Sequence, residues 1–459
     1  MLKESGFIPI RATLAGLFIA VFLFLPRATL PTGYPEETEF LHQVAPGESL
    51  TKIARLYFPL TEEQTVGDLV ERIQERNEIE GTLIHPDQRL LIPVVRSAPV
   101  VAKTIPKPRN FEAKGIYINR YSMACQKMTR LIDTLTLVGG NTVVLDAKDM
   151  SGRLSYPSKV PLAEAIGACD AASIVDPAKL FHALHQKGLH VCVRLVLFFD
   201  PFLAAKRPDL VIRSLATGEP WMENGKVTWV DPSNPIVQRY NLDLAKELAE
   251  MGADEIQFDY IRFPTNGNTR DAAYSFDEER IAKHEIITAF LAQAQKELAP
   301  HKLLLSIDVF GVMAWERPED LRMTGQKIDD LADHCDVISP MIYPSHFYAC
   351  FQGIARPGDQ PFWLVSEAIR RFSHLLERKQ VTLRPWIQAF PFGTSRFDEE
   401  YILEELRALS WSDTCGWLLW SAGNAYDVSW RALVAWNDVD SAQTTVGEQF
   451  SRLDPRLMQ

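Results

Sequence analysis

The stretch that decides the fold is residues 255–264, Glu-Ile-Gln-Phe-Asp-Tyr-Ile-Arg-Phe-Pro. It reads as an apolar strand that ends in an acid, a phenol and a guanidinium before a proline stops it. Strand alternation places Gln257 and Asp259 on one face, and Phe258, Tyr260 and Arg262 on the other. A carboxylate at the end of a buried strand is costly to desolvate, so its presence there indicates a function beyond packing.

Seven further runs share this design, and several of them also end in polar groups. The eight strand candidates are Gly115–Tyr121, Asn141–Lys148, His190–Phe198, Glu255–Phe263, Leu303–Phe310, Val337–Tyr343, Arg384–Phe390 and Gly416–Ser421. Amphipathic, helix-like runs lie between them, and alternating strands and helices predict a parallel sheet. Eight such repeats over roughly three hundred residues predict an α/β fold, a closed (β/α)8 or TIM barrel, which we assign to residues 113–445.

Side chains able to bind or react are concentrated at the carboxyl ends of these strands, where active sites of such barrels lie. They are Asp146, Lys148, Asp149, Arg194, Asp259, Arg262, Asp308, Tyr343, His346, Trp386, Gln388, Trp420 and Asn424. Aromatic rings stack on the apolar faces of pyranose rings, and acids and amides bind hydroxyl groups. Their convergence on one barrel mouth therefore predicts a cleft that processes sugars.

Composition narrows the classes of partner. The chain has 459 residues and a net charge of −11, which argues against nucleic acid, because phosphate binding relies on a basic surface. The six cysteines form no CxxC pair, and no His/Asp cluster has ligand spacing, so we expect neither a metal site nor a cofactor. Pairing of Cys335 with Cys350 in an oxidising compartment stays open.

The amino terminus predicts export. Residues 1–38 carry Lys3 and Arg11 and then the apolar run Leu14–Leu25, which ends at Pro26. This is typical of a secretory signal peptide or of an uncleaved inner-membrane anchor, and the sequence leaves both open. In either case the basic flank stays in the cytoplasm, and the remainder enters the periplasm or cell envelope.

A small module precedes the barrel. Residues 39–95 read as strand, helix, helix and strand, with Ser49 placed to cap the first helix and Val66–Asn77 forming the second. This order resembles the LysM module, with a longer inter-helix segment, Phe58–Thr65. The residues that carry the resemblance are Val44, Gly47, Glu48, Ser49, Leu50, Ile53, Ala54, Asn77 and Pro86–Pro93.

The LysM resemblance implies binding of N-acetylglucosamine-containing glycans and hence attachment to peptidoglycan. The alternative is a spacer that keeps the fold without glycan affinity. Residues 96–112, rich in Pro, Ala, Val and Lys, predict a semi-extended linker to the barrel. Residues 446–459 are assigned to a tail.

Several motifs of the barrel, in order, resemble the bacterial putative glycosyl hydrolase domain, a family once catalogued as a domain of unknown function. The motifs are Asp146–Leu154, Trp229–Pro232, Gln257–Pro264, Asp308–Gly311, Ile338–His346 and Arg384–Gln388. The family is similar to the retaining alpha-amylase-like barrels. The resemblance implies a hydrolase acting on a polysaccharide, either peptidoglycan or an exopolysaccharide.

The resemblance also implies roles for individual residues. Asp259 corresponds to the strand-four nucleophile of amylase-like barrels, and Asp308 is the candidate acid/base. Those barrels usually have arginine where Gln257 stands and glutamate where Asp308 stands. We expect Arg262 or Lys148 to keep Asp259 ionised by charge pairing. The remaining candidates for substrate binding are Asp146, Asp149, Arg194, Tyr343, His346, Trp386, Gln388, Trp420 and Asn424.

A different class of function also fits the residues. In a non-catalytic glycan-binding or scaffold protein, the mouth would hold sugar while the acids only pair with arginines, as Asp259 would with Arg262. The distance between the Asp259 and Asp308 carboxyl groups separates the two readings: about 5–5.5 Å indicates a retaining pair and about 6.5–9.5 Å an inverting pair. A much larger distance, or salt bridges at both acids, favours binding alone.

Overall fold

The computed structural model describes residues 38–63, 65–94 and 98–437. The predicted leader, apart from its last residue, and the predicted tail lie outside the described residues. No helix within the described ranges is long and apolar enough to cross a membrane. All six cysteines fall inside these ranges, and each is a free thiol.

The small module has the predicted strand–helix–helix–strand order. Its elements are β1 (Thr38–Gln43), α1 (Leu50–Tyr57), α2 (Val66–Arg76) and β2 (Arg89–Val94). The two strands pair antiparallel, with Thr38 opposite Val94. Ser49 caps α1 by accepting a hydrogen bond from the Lys52 amide, as the sequence predicted. Asn77 joins α2 to β2 through hydrogen bonds with the backbone of Leu91 in both directions.

The large domain is the predicted closed barrel. Its strands are β3 (Ala113–Ile118), β4 (Thr142–Lys148), β5 (His190–Val196), β6 (Arg213–Ser214), β7 (Glu255–Asp259), β8 (Ala272–Ala273), β9 (Leu304–Phe310), β10 (Val337–Ile342), β11 (Thr382–Leu383), β12 (Trp386–Gln388) and β13 (Gly416–Trp420). The short strands β6 and β8 lie outside the barrel, and β11 and β12 together form its seventh strand (each barrel strand is also called a stave below). The barrel staves pair in parallel, and the β13–β3 and β9–β10 ladders close the ring.

Helices surround the barrel and cover the outward faces of its strands. They are α3 (Arg120–Met123), α4 (Lys127–Leu137), α5 (Pro161–Ile166), α6 (Pro177–Gln186), α7 (Pro201–Lys206), α8 (Pro235–Glu250), α9 (Lys283–Leu298), α10 (Pro318–Thr324), α11 (Ile328–Leu331), α12 (Pro361–Leu376), α13 (Glu399–Ser410) and α14 (427–437). Phe258 illustrates the packing: it points outward from β7 and contacts Phe290 of α9, with ring centres 5.7 Å apart. Gln257 and Asp259 consequently face the barrel interior.

The lower interior of the barrel holds a buried ionic cluster. Arg384 and His190 both bind the Glu255 carboxylate, at 2.8 and 2.9 Å. Burial by itself raises the pKa of Glu255, but the Arg384 guanidinium and the bond to His190 hold that pKa below its ordinary value. These partners come from three strands of the barrel, so the cluster links those strands below the mouth.

Residues 98–112 run as an extended segment along the amino-terminal ends of the strands. Thr104 donates to the Ala253 carbonyl at 2.9 Å, and the amide of Ile105 donates to Asp254 at 2.6 Å, both just before β7. Arg109 forms an ion pair with Asp336, just before β10. The segment thus closes the end of the barrel opposite to the mouth.

The small module also contacts the barrel directly. Lys179 of α6 is buried, and its amine donates to the carbonyls of Phe58 and Glu63 and to the Thr61 hydroxyl, at 2.8, 2.8 and 3.2 Å. The same ammonium lies 3.7 Å from the centre of the Phe58 ring. The long inter-helix segment of the module is therefore attached to the outer helical layer of the barrel.

Candidate active site

Asp259 and Asp308 lie side by side inside the barrel mouth. Strands β7 and β9 pair in parallel, with Phe258 opposite Ile307, so the two aspartates occupy the next positions along neighbouring strands. Neighbouring strands are about 4.8 Å apart, and both residues face inward. They are nearly inaccessible, with 4 % and 2 % of their surface exposed. The structure therefore brings the two predicted catalytic residues together.

Arg194 is the cation that pairs with Asp259. Its guanidinium donates to Oδ2 of Asp259 at 2.5 Å and to Oδ1 of Asp146 at 2.6 Å. Burial by itself lowers the pKa of Arg194, but the two carboxylates raise it above its ordinary value, so the side chain stays charged. The expectation that Arg262 or Lys148 fills this role is wrong, since neither forms an ion pair with Asp259.

The position of Arg194 follows from strand register. On β5, Arg194 stands directly opposite Gln257 of β7. Gln257 occupies the place where amylase-like barrels usually have arginine, two residues before the nucleophile. In this protein the guanidinium therefore comes from β5, the strand next to β7, and not from β7 itself.

Asp308 has an environment opposite to that of Asp259. Burial, and next the negative charge of Asp259, raise the pKa of Asp308 well above its ordinary value, against the effects of Arg194 and of a hydrogen bond from Trp386. The indole Nε1 of Trp386 donates to Oδ1 at 2.8 Å. The protonated form of Asp308 is therefore favoured by its surroundings, whereas Asp259 accepts hydrogen bonds from the Arg194 guanidinium.

Aromatic side chains form the rest of the inner wall. Tyr343 is buried beside both aspartates, and burial followed by their charges raises the pKa of its phenol well above the ordinary value. Its hydroxyl has no hydrogen-bond partner among the described residues. Trp420, half-buried, lies against the Arg194 guanidinium at 5.1 Å and contacts Trp386 edge to face. These rings, with Trp386, are the predicted apolar surfaces of the mouth.

Tyr117 belongs to this wall and was not among the sequence candidates. Its hydroxyl donates to Oδ2 of Asp146 at 2.6 Å, and its ring stacks on Trp420 with centres 4.1 Å apart. Burial raises the pKa of Asp146, and Arg194 and Tyr117 oppose that effect. The available signal was its inward position on the first strand, one residue before the end of β3.

The backbone leaves the strand conformation at Tyr260. Its φ of 52° lies in the left-handed region, which is strained for a residue with a side chain. In this conformation its amide donates to Oδ1 of Asp259 at 2.6 Å. Strand β7 consequently ends at Asp259, earlier than predicted, and the alternation that assigned Arg262 to the outer face does not continue past that point.

Lys148 lies away from the mouth and contacts the helical layer. The β4–β5 register shifts between Asp146 and Lys148, and the amine turns to Asp200 at 3.0 Å and to Asn241 of α8 at 2.7 Å. The side chain is fully buried, and burial lowers the pKa of its ammonium. These contacts give Lys148 a structural role in place of the predicted one in substrate binding.

Three other predicted binding residues hold the loops around the mouth. Asp149 accepts both the amide and the hydroxyl of Ser151 within its turn. Gln388 donates to the carbonyls of Phe390 and Phe392. Asn424 is buried and donates to the carbonyl of Tyr117 while its own carbonyl accepts from the Asn119 amide. Their polar groups are occupied by the protein, which argues against the predicted contacts with substrate hydroxyls.

His346 lies at the outer edge of the mouth. Its ring is exposed and packs edge-on against Tyr343 and Phe390, with centres 5.3 and 5.6 Å apart. Burial of part of the ring lowers its pKa, so the imidazole is neutral at physiological pH. A neutral ring at this edge can donate to or accept from a hydroxyl group.

Comparison with solved structures supports the barrel fold. The structure resembles the PgaB (BpsB) glycoside hydrolase domain from Bordetella bronchiseptica, with a TM-score of 0.50 and 13 % identity over 70 % of this chain and 95 % of that chain. It resembles the beta-galactosidase of Marinomonas ef1 with the same TM-score, at 11 % identity over 73 % and 60 % of the two chains. At such identities the likeness concerns the fold.

A hypothetical protein from Ruminiclostridium thermocellum ATCC 27405 is 35 % identical over 42 % of this chain and 97 % of that chain, with a TM-score of 0.38. No curated protein matches the chain significantly. Residues 42–93 match the LysM domain, and residues 115–426 match the family described as putative glycosyl hydrolase domain. The second match spans more than half of this chain. The chain therefore belongs to the putative glycosyl hydrolase domain family and carries a LysM domain ahead of its barrel.

Proposed function

We propose that this protein is an exported glycoside hydrolase of the cell envelope that cleaves a polysaccharide, with Asp308 and Asp259 as its catalytic pair. The observation that carries the proposal is the contrast between two neighbouring carboxyl groups. Burial beside Asp259 raises the pKa of Asp308, whereas Asp259 itself is paired with a guanidinium. Carboxyl groups in opposite environments are typical of acid and base assignments in glycoside hydrolysis.

The proposed role of each carboxyl group follows from its environment. Asp308 donates its proton to the glycosidic oxygen as the leaving group departs. Asp259 attacks the anomeric carbon or activates a water molecule, and its negative charge stabilises the positive charge that develops on the sugar ring. Arg194 orients Asp259 while a second carboxylate, Asp146, balances part of the guanidinium charge.

The small module supports a location at the cell wall. A LysM domain implies affinity for glycans that contain N-acetylglucosamine, and the basic, apolar leader predicted over residues 1–38 implies export. We therefore propose peptidoglycan as the attachment site and peptidoglycan or an exopolysaccharide as the substrate. An uncleaved leader would anchor the protein in the inner membrane.

The test uses two variants of the full chain. Asp259→Asn and Asp308→Asn are expected to abolish the release of reducing ends from purified peptidoglycan or exopolysaccharide. Asp133→Asn, at an exposed carboxyl on α4, is the matched control and should keep full activity. Circular dichroism verifies that each variant is folded. Unchanged activity in both site variants would refute the assignment of the pair.

One observation favours a second candidate, a glycan-binding protein without hydrolase activity. Both oxygens of Asp259 already accept hydrogen bonds, from Arg194 and from the Tyr260 amide. In such a protein the same two variants would leave glycan binding unchanged, and the wild-type protein would release no reducing ends from any glycan that it binds. Measuring binding and release on the same glycan separates the two candidates.

A further inference from the structure

Arg262 is a buried cation at the mouth that has no paired anion within the part of the chain that the structure describes. Its side chain is 6 % exposed, yet it has no ion pair, and its one hydrogen bond within the described residues runs from Nη1 to the carbonyl of Phe263 at 3.0 Å. Buried charges in proteins are normally paired, because desolvating an isolated charge is expensive. Arg194, the guanidinium beside Asp259, is by contrast bound by two carboxylates.

Aromatic rings surround the Arg262 guanidinium. The centres of Phe310, Tyr260 and Trp229 lie 4.4, 4.8 and 5.0 Å from its central carbon. Cation–π contacts of this kind offset part of the desolvation cost and hold the group in place. Rings cannot accept the in-plane hydrogen bonds of a guanidinium, so the remaining N–H groups are left without partners among the described residues.

Those unpaired N–H groups are not fully enclosed. The two nitrogen atoms that lack a partner in the described part of the chain, Nε and Nη2, are not completely buried. Phe310 ends β9 two residues after Asp308, and Tyr260 follows Asp259 directly. The guanidinium therefore packs against rings that follow Asp308 and Asp259 closely along the chain, which places it at the mouth.

The two carboxylates that act electrostatically on Arg262 each accept hydrogen bonds from other donors. Asp259 accepts from Arg194 and the Tyr260 amide, and Glu223 accepts from the indole of Trp229 at 3.2 Å. Both attract Arg262 electrostatically, but neither comes within ion-pair distance of it. A planar guanidinium with a free edge is well suited to bind a carboxylate through two parallel hydrogen bonds.

From this geometry we infer that Arg262 forms a carboxylate-binding subsite, so that the glycan taken by this barrel carries an acidic sugar next to the bond that is cleaved. The inference rests on the proposed function and specifies its substrate class. The carboxylate belongs either to a uronic acid or to a lactyl ether on an amino sugar. These sources share one chemistry, and the experiment separates them.

The experiment measures binding by the full chain to two pairs of glycans. One pair is peptidoglycan strands freed of peptide, with free lactyl carboxylates, and the same strands after amidation of those carboxylates. The other pair is oligogalacturonides and their carboxyl-reduced forms. Calorimetry is performed in the Asp308→Asn background, so that no turnover intervenes. In one of the two pairs, we expect the charged glycan to bind more tightly than its neutral counterpart. The pair that shows this difference identifies the source of the carboxylate.

Three variants assign the effect to Arg262. Arg262→Met keeps the apolar stem and is expected to weaken binding of the charged glycan about ten-fold while leaving the neutral one unchanged. Arg262→Lys keeps the charge and should lose less, which covers the case in which the methionine variant folds poorly. Arg130→Met, on the exposed face of α4, is the matched control.

The outcomes separate this inference from the hydrolase proposal. Equal affinity for charged and neutral glycans, absence of binding to both pairs, or equal losses in the methionine variant would overturn the subsite. Cleavage of charged and neutral glycans at equal rates would keep the hydrolase and exclude the subsite. Selective binding without release of reducing ends by the wild-type protein would keep the subsite and exclude the hydrolase.

Discussion

The indole Nε1 of Trp386 donates a hydrogen bond to Oδ1 of Asp308 across 2.8 Å. The two residues come from β12 and β9, which flank β10, so the contact spans the inner face of that strand. It directs one carboxyl oxygen of the proposed acid toward the indole and leaves the other to carry the proton. The contact also opposes the rise of the Asp308 pKa that burial and Asp259 cause.

Trp386→Phe removes this donor and should raise the pKa of Asp308 further. The acid stays protonated to higher pH but donates its proton less readily, so we expect the alkaline limb of the pH–activity profile to move to higher pH and kcat to fall about ten-fold. Profiles of kcat against pH measure both effects. Trp417→Phe, on the outward face of β13, is the control. A limb that moves to lower pH would contradict the assigned role.

Cleavage is expected to retain the anomeric configuration. The two carboxyl groups stem from adjacent strands about 4.8 Å apart, which leaves little room for a water molecule between the sugar and the carboxylate. Short separations are typical of retaining enzymes, whereas inverting pairs are about 6.5–9.5 Å apart. Proton NMR of the first product formed distinguishes the anomers. Initial release of the inverted anomer would mean that Asp259 activates water.

Lys148→Met should reduce stability without altering substrate affinity. The change leaves the Asp200 carboxylate buried and unpaired, which costs about 3–5 kcal/mol of the free energy of unfolding. Urea denaturation measures the loss, and KM of the folded fraction should stay unchanged. Adding Asp200→Asn should recover part of the stability. Lys114→Met, at a partly exposed ion pair, is the control, and a raised KM in Lys148→Met would restore the substrate-binding prediction.

Glu405 is expected to make the protein less stable as pH rises. It is fully buried on α13, and burial raises its pKa well above the ordinary 4.5. The folded state therefore holds a proton that the unfolded state releases, so its contribution to stability falls as pH rises from about 4.5 toward the raised pKa.

Glu405→Gln removes this proton linkage. We expect the variant to gain stability relative to the wild type between pH 5 and pH 8, by at most about 1.4 kcal/mol per pH unit. Gln keeps an oxygen that accepts from the Gln388 amide, as Glu405 does at 3.0 Å. Thermal denaturation across this range provides the comparison, with Glu404→Gln on the same helix as control. Parallel pH profiles for wild type and variant would rule the linkage out.

Lys179→Ala should loosen the attachment of the small module to the barrel. It deletes the hydrogen bonds of the ammonium to Phe58, Thr61 and Glu63, and bonds to charged groups contribute about 1.5–3 kcal/mol each. We expect faster proteolysis within residues 38–112 and a separate denaturation transition for the module. Lys187→Ala, which removes an exposed ion pair at the end of the same helix, should change neither.

The barrel architecture could be predicted from the sequence because the barrel strands are apolar runs, several of which end in polar residues at their carboxyl ends. All eight predicted strands exist, and most bounds differ by one to three residues from those observed. The largest differences have local causes. The strand predicted over Glu255–Phe263 ends at Asp259, where Tyr260 turns to a positive φ, and the seventh stave is divided into β11 and β12.

The identity of the cation beside Asp259 could not be predicted, because alternation fails where strands end. Lys148 turns outward after the register shift that follows Asp146, and Arg262 lies beyond the strained Tyr260. Arg194 sits within a regular strand, but its partner depends on the β5–β7 register, which a single sequence does not specify. Long-range pairings, such as Trp386 with Asp308, depend on barrel closure in the same way.

The contact between Lys179 and the inter-helix segment has a consequence for how a long polymer would be handled. A module on a loose tether would let the mouth sample many bonds around each anchoring point. A module held against the barrel at Phe58, Thr61 and Glu63 instead fixes the distance between the glycan-binding site of the module and the bond that the barrel cleaves. If the module binds the same glycan chain that the barrel degrades, the products should cluster around one characteristic chain length.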